Sequence, residues 1–188
     1  MLLRSQMKPV YRNLPRLELG AYRGMAAVHW TFCIQGRSVG WLNAEFHNHF
    51  REVLTHTGIR YGCVAPIYCL MPDHLHLMLW GFREDADLRL AARFLRKNTA
   101  KALFPARYQK QAYDHALNEK ESERGAFEAV CFYIAENPVR AKLCQHSSEY
   151  PFSGGVIPGY PDLQIHKEEY WGLFWKIVHR LTAAATRL

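Results

Sequence analysis

At 188 residues the chain has the length of one domain with tails, and a hydrophobic content of 49% supports a real core, which excludes a disordered chain. Its formal net charge of +7 points to an anionic partner, nucleic acid first and an acidic membrane surface second. No apolar run approaches the ~18 residues of a transmembrane helix, the first six residues hold no signal-peptide core, and five scattered cysteines without a Cys-x-x-Cys pair suit a reducing cytoplasm rather than a disulfide framework or a structural zinc.

Residues 1–24 read as a basic arm, with Arg4, Lys8, Arg12, Arg16 and Arg23 against the single acid Glu18, and with Pro9, Pro15, Gly20 and Gly24 breaking regular structure. A domain at 25–144 and a loop plus helix at 145–188 follow. Residues 27–35 alternate Val28, Trp30, Phe32 and Ile34 with polar neighbours and predict a strand. A helix over 42–56 follows, with Asn43 as its N-cap. Residues 59–70, rich in Val, Ile, Tyr and Cys, predict one or two strands. Pro72-Asp73 makes a turn, and a further strand buries Leu75, Leu77 and Leu79. The other face of that strand carries His74, His76, Met78 and Trp80, because successive strand side chains alternate.

Two imidazoles on one strand face can share a metal ion. The pattern needs weighing, since ten histidines in 188 residues give about an even chance of one His-x-His by composition alone. The chain has a second, His47-Asn48-His49, inside the predicted helix. There, positions i and i+2 lie about 200° apart and cannot face one ligand, so His47 and His49 are read as structural or surface residues.

Residues 87–104 predict a helix whose one side holds Leu88, Ala92, Leu95, Thr99, Ala102 and Leu103. A neighbouring side holds Arg89, Arg93, Arg96, Lys97 and Lys101, with no acid after Asp87. Such a one-sign stripe favours phosphate. Residues 108–115 read as a loop or short strand. Residues 121–136 predict a helix, closed or kinked at Asn137-Pro138 and resuming for a turn after it. On that helix Tyr133 and Asn137 are spaced i, i+4 and share a face. A phenol attacks well only when it is close to losing its proton, and a nearby metal helps; an amide oxygen such as that of Asn137 suits Mg²⁺ or Mn²⁺. Residues 145–166 are a Pro/Gly/Ser-rich loop, and 167–185 form an amphipathic aromatic helix. Strand, helix, strands, helix, helix is the order of an α+β sandwich with a small antiparallel sheet.

Three blocks resemble one family. Tyr68 to Leu79, with Met71-Pro72-Asp73-His74-Leu75-His76, is similar to the His-hydrophobe-His block of the HUH single-tyrosine transposases. Tyr133-Ile134-Ala135-Glu136-Asn137-Pro138-Val139-Arg140-Ala141 resembles the block that holds the nucleophile of the REP-associated tyrosine transposases. Tyr108-Gln109 through Asp114-His115 resembles a segment of that subfamily, and Arg12-Asn13-Leu14-Pro15-Arg16 its start. The blocks span about residues 11–153 in order. This chain departs from the pattern at Tyr108, where the family has Trp, at Ala135, often His, and at Lys142, usually Gly.

The resemblance implies a ferredoxin-like (RRM-like) sandwich with the histidines on a central strand. It implies that His74, His76 and Asn137 hold one divalent cation, Mg²⁺ or Mn²⁺. It implies that Tyr133 attacks single-stranded DNA to form a 5′-phosphotyrosine beside a hairpin, in a cytoplasmic monomer or homodimer. The expected DNA-backbone ligands are Arg89, Arg93, Arg96, Lys97 and Lys101, with Arg140, Arg12 and Arg16. Two alternatives stay open: a phosphodiesterase that uses water, and a hairpin-binding relative without catalysis.

Overall fold

The computed structural model describes residues 18–160 and 163–187. Arg12, Arg16 and most of the basic arm lie outside the described residues. Among these, five strands form one antiparallel sheet in the order β4–β1–β3–β2–β5: β1 (Ala27–Cys33), β2 (Cys63–Met71), β3 (His74–Gly81), β4 (Tyr113–Ala116) and β5 (Ser153–Val156). Helix α1 (Ala44–Tyr61) connects β1 to β2, and α2 (Leu88–Thr99) connects β3 to β4. With strands ordered 4-1-3-2, this β-α-β-β-α-β path is the ferredoxin-like sandwich, extended by β5 beside β2.

Alternation within the strands sorts side chains onto two cores. One face buries Val28, Trp30, Phe32, Leu75, Leu77 and Leu79 beneath Phe50 and Leu54 of α1 and Leu88, Ala92 and Leu95 of α2. The other face buries Ile67, Cys69, Met71 and Met78 beneath a second helical layer. That layer consists of α3 (Glu119–Ser122), α4 (Arg124–Ala135), α5 (Asn137–Arg140) and α6 (Tyr170–Ala185). The aromatic stripe of α6 packs here: Phe174 lies against Phe127 of α4, and Trp175 against Trp80 of β3. No described helix is long and apolar enough to cross a membrane.

Several boundaries differ from the sequence expectation. Helix α1 runs five residues past the expected end, to Tyr61, where Gly62 in the left-handed conformation (φ 64°) stops it. Helix α2 ends at Thr99, short of 104, and Ala102, expected on the apolar side, is exposed. The 145–166 loop contains β5. The basic arm does not reach Gly24 as a free tail: Tyr22 is fully buried, and its hydroxyl donates to Asp114.

Candidate active site

The histidine pair owes its position to a two-residue hairpin. Met71 pairs with His74 across Pro72-Asp73, so β3 begins at the first histidine. With Leu75 and Leu77 fully buried on one face, His74 and His76 must project from the other. Their Nε2 atoms stand 3.1 Å apart with the rings perpendicular. Nδ1 of His74 meets Oδ1 of Asp73 at 2.6 Å, and Arg37 reaches the second oxygen of that carboxylate at 3.2 Å. Burial alone would raise the Asp73 carboxyl, but His74 and Arg37 outweigh it and hold it below its usual value. Nδ1 of His76 lies 3.1 Å from both Nε2 of His29 and Oγ1 of Thr31 on β1. Burial, then the neighbouring His29, His74 and Arg140, pushes the His76 imidazole down to about 3. Burial, then His115, takes His29 to about 4. Both rings are therefore neutral near pH 7, the form in which imidazole binds metals.

The second component sits on the helix layer over the same sheet face. Helix α4 turns Phe127, Cys131 and Ile134 inward, and Tyr133, on its outer side, is 58% exposed. The chain stays helical through Glu136 into α5, where Pro138 lacks the N–H that would bind the Ile134 carbonyl. Nδ2 of Asn137 takes that carbonyl at 2.9 Å and the Tyr133 carbonyl at 3.3 Å. Arg140 donates to the Tyr133 carbonyl at 2.7 Å, and its guanidinium lies 3.9 Å from the centre of the Tyr133 ring. Proline thus opens the helix, and the two residues that close it again flank the tyrosine.

The residues present fit a divalent cation. In an octahedron with metal–ligand bonds of about 2.1 Å, adjacent ligand atoms stand about 3.0 Å apart; tetrahedral zinc sets them about 3.4 Å apart. The observed Nε2 separation of 3.1 Å is close to the octahedral value. Among the described residues no group of three or more His, Cys, Asp or Glu forms a metal cluster. The remaining ligands would be an amide such as Asn137, water or substrate oxygens, which is the open coordination that Mg²⁺ and Mn²⁺ accept.

The cationic stripe stands elsewhere. Helix α2 covers the sheet face opposite the histidines. There Arg89, Arg93, Arg96, Lys97, Arg107 and Lys110 line a groove of about 710 Å³ floored by Trp30 and Tyr108. Two expected members differ in role. Arg96 is half-buried, packs over Phe32 and Tyr108, and donates to the Gln109 carbonyl. Lys101 lies past the end of α2 and outside the groove lining. Arg140 belongs to the histidine face instead. His47 and His49 are structural: His47 bonds the buried Tyr68 hydroxyl at 2.7 Å and His49 the Asn98 carbonyl at 3.1 Å. His29, Thr31 and Asp73 escape the sequence reading: Asp73 meets its chain neighbour His74, and only the register of β1 against β3 brings His29 and Thr31, which share one face, to His76.

No family model matches the chain. It is 22% identical over 162 residues, 72% of its length and 89% of the relative's, to a protein of Haemophilus influenzae named a putative REP-associated tyrosine transposase. Its fold superposes on a solved REP-associated tyrosine transposase bound to a REP hairpin with a TM-score of 0.62, at 19% identity, covering 76% of this chain and 82% of that one. The chain resembles the REP-associated tyrosine transposases in sequence and in fold. A solved putative transposase of Deinococcus radiodurans is more distant, with a TM-score of 0.41 at 14% identity, covering 66% of this chain and 95% of that one. The transposase likeness agrees with the motif resemblance, and the shared fold carries the histidines on the central strand β3.

Proposed function

We propose that this chain is a divalent-metal-dependent, single-stranded DNA endonuclease and strand transferase acting at DNA hairpins. The observation that carries the reading is the convergence of the His74 and His76 Nε2 atoms on the sheet face over which the Tyr133–Asn137 helix is packed. The likeness to a hairpin-bound REP-associated tyrosine transposase supports the same substrate.

In this reading His74 and His76, with the Asn137 amide oxygen, hold Mg²⁺ or Mn²⁺, which when bound draws charge from the scissile phosphate. Tyr133 attacks phosphorus through Oη; its P–O bond forms as the P–O3′ bond breaks, the phenolic proton goes to solvent, and the 3′-oxygen leaves as a hydroxyl. The resulting 5′-phosphotyrosine keeps the energy of a diester, so another 3′-hydroxyl can reverse the step on a new strand. Arg140 holds the tyrosine ring in place and brings positive charge beside the phosphate. Arg89, Arg93 and Lys97 in the groove under α2 bind the hairpin backbone.

Incubation with a labelled single-stranded palindrome and Mn²⁺ is expected to yield a denaturation-resistant protein–DNA adduct that Tyr133→Phe abolishes. Cleavage without an adduct that survives Tyr133→Phe would replace the tyrosine mechanism by attack of water. Hairpin binding with no cleavage under any divalent metal would leave a binding protein only.

A further inference from the structure

His76 is the one imidazole of the pair with polar partners on a neighbouring strand, and those partners have no role in the chemistry derived above. Nδ1 of His76 has two of them at equal distance: Nε2 of His29 and Oγ1 of Thr31, each at 3.1 Å. Thr31 is the direct cross-strand neighbour of His76, and His29, two residues earlier on the same face, leans diagonally over it with ring centroids 5.2 Å apart.

The proton count around the pair is constrained. The Asp73 carboxylate can only accept, so Nδ1 of His74 donates to it, and in a neutral ring Nε2 carries the lone pair. The 3.1 Å contact between the two Nε2 atoms is then a hydrogen bond when Nε2 of His76 carries the proton. In that tautomer Nδ1 of His76 is an acceptor, and the Thr31 hydroxyl or the His29 Nε2–H donates to it. A cation between the Nε2 atoms needs the opposite tautomer, with the proton on Nδ1 of His76 and both Nε2 lone pairs facing the metal. Nδ1–H then needs an acceptor inside the sheet face, where a donor left without one is destabilising. A threonine hydroxyl accepts as readily as it donates, and His29 accepts once its own proton moves to Nδ1. His76 remains singly protonated throughout: one proton leaves Nε2 to solvent and one reaches Nδ1 from solvent.

We infer that Thr31 and His29 are positioning residues that set the tautomer of His76, accepting its Nδ1–H so that Nε2 is released to a divalent cation. The inference rests on the metal site proposed above and adds two residues to it. Neither residue touches the cation; each acts through His76. Because the two acceptors are redundant, either alone holds the ring.

The experiment compares wild type, His29→Gln, His29→Phe, Thr31→Val and the Thr31→Val/His29→Phe double variant. Mn²⁺ affinity is read by calorimetry, and the ring-nitrogen shifts of His76 by ¹⁵N NMR with Zn²⁺ as a diamagnetic probe. Each single variant is expected to stay within a few-fold of wild type, with His29→Gln, which keeps an acceptor oxygen, the mildest. The double variant is expected to weaken Mn²⁺ binding 10- to 100-fold, the usual range for losing an outer-shell partner, with far-UV dichroism unchanged. In wild type with Zn²⁺, His76 is expected to show protonated Nδ1 and metal-bound Nε2. A double variant that binds Mn²⁺ as wild type does, or a His76 bound through Nδ1, overturns the inference. Wild type that binds neither ion overturns the metal site itself, a failure distinct from that of the positioning residues.

Discussion

Acidification is expected to destabilise this fold well before its carboxylates titrate. His29 and His76 are held near 4 and 3 in the folded state against 6.5 when unfolded. Both groups have depressed folded pKa values, so below pH 6.5 the unfolded chain binds protons that the folded chain refuses, and stability falls as pH falls. At pH 5 each imidazole costs about 2 kcal/mol relative to pH 8, about 4 kcal/mol together, out of the 5–15 kcal/mol typical of a domain. His47 and His166, lowered first by burial, act in the same direction. Asp73 and Glu121, whose pKa values are lowered, lose their contribution only in the lower carboxylate range, a separate window. Urea unfolding at half-unit steps from pH 8 to 5, without divalent metal, reads the slope directly. His29→Gln is expected to remove about half of the loss. Equal urea midpoints at pH 8 and pH 5 would refute the burial of neutral imidazoles on this face, as would a His29→Gln slope identical to that of wild type.

Three further outcomes are expected. Tyr68→Phe removes the hydroxyl that meets His47 at 2.7 Å and Arg51 at 2.8 Å, and should cost about 1–3 kcal/mol by urea unfolding with hairpin affinity unchanged. Arg140→Ala removes the cation over the Tyr133 ring and a bond to its carbonyl. It should slow adduct formation by about 3- to 30-fold, the worth of a cation–π contact of about 0.5–2 kcal/mol. Arg93→Ala and Lys97→Ala should each flatten the salt dependence of hairpin binding by about one unit of log–log slope while Mn²⁺ affinity holds, measured by titrations across ionic strength.

Elements with strong periodicity were legible from residues alone, and those fixed by neighbours were not. The alternation at Leu75, Leu77 and Leu79 located β3 and sent both histidines to one face, as the structure has it. The i, i+4 pairing of Tyr133 with Asn137 survives because side chains rather than the backbone close the helix over Pro138. In contrast, Ser153-Gly154-Gly155 has no strand propensity. It forms β5 because β2 offers an open edge, and at Gly155 a side chain would come within 2.8 Å of the Pro66 carbonyl. The end of α1 escapes periodicity because Ile59 and Tyr61 resemble a strand start, whereas the left-handed Gly62 is the stop. Nothing local to Ala27–Cys33 reveals that His29 meets His76; the register of β1 against β3 decides it.

The sheet places the histidine pair and the cationic stripe, close together in sequence, on opposite faces. The arginine and lysine stripe of α2 follows the histidine strand after only a few residues. Yet the chain leaves β3, crosses the sheet, and lays α2 on the opposite face. On the reading proposed here, a DNA strand held in the groove under α2 must pass an edge of the sheet to reach Tyr133. The nearer edge is β4, since Lys110 and Ala112, which line the groove, lead directly into it. That edge turns Tyr113 and His115 toward the histidine face. Both are exposed, and Tyr113 offers a ring on which an unpaired base can stack. On that reading, affinity and chemistry fall on different faces of one sheet. A change in the groove should weaken binding at all sequences alike, and a change at His74, His76 or Tyr133 should stop the reaction on DNA that is still bound.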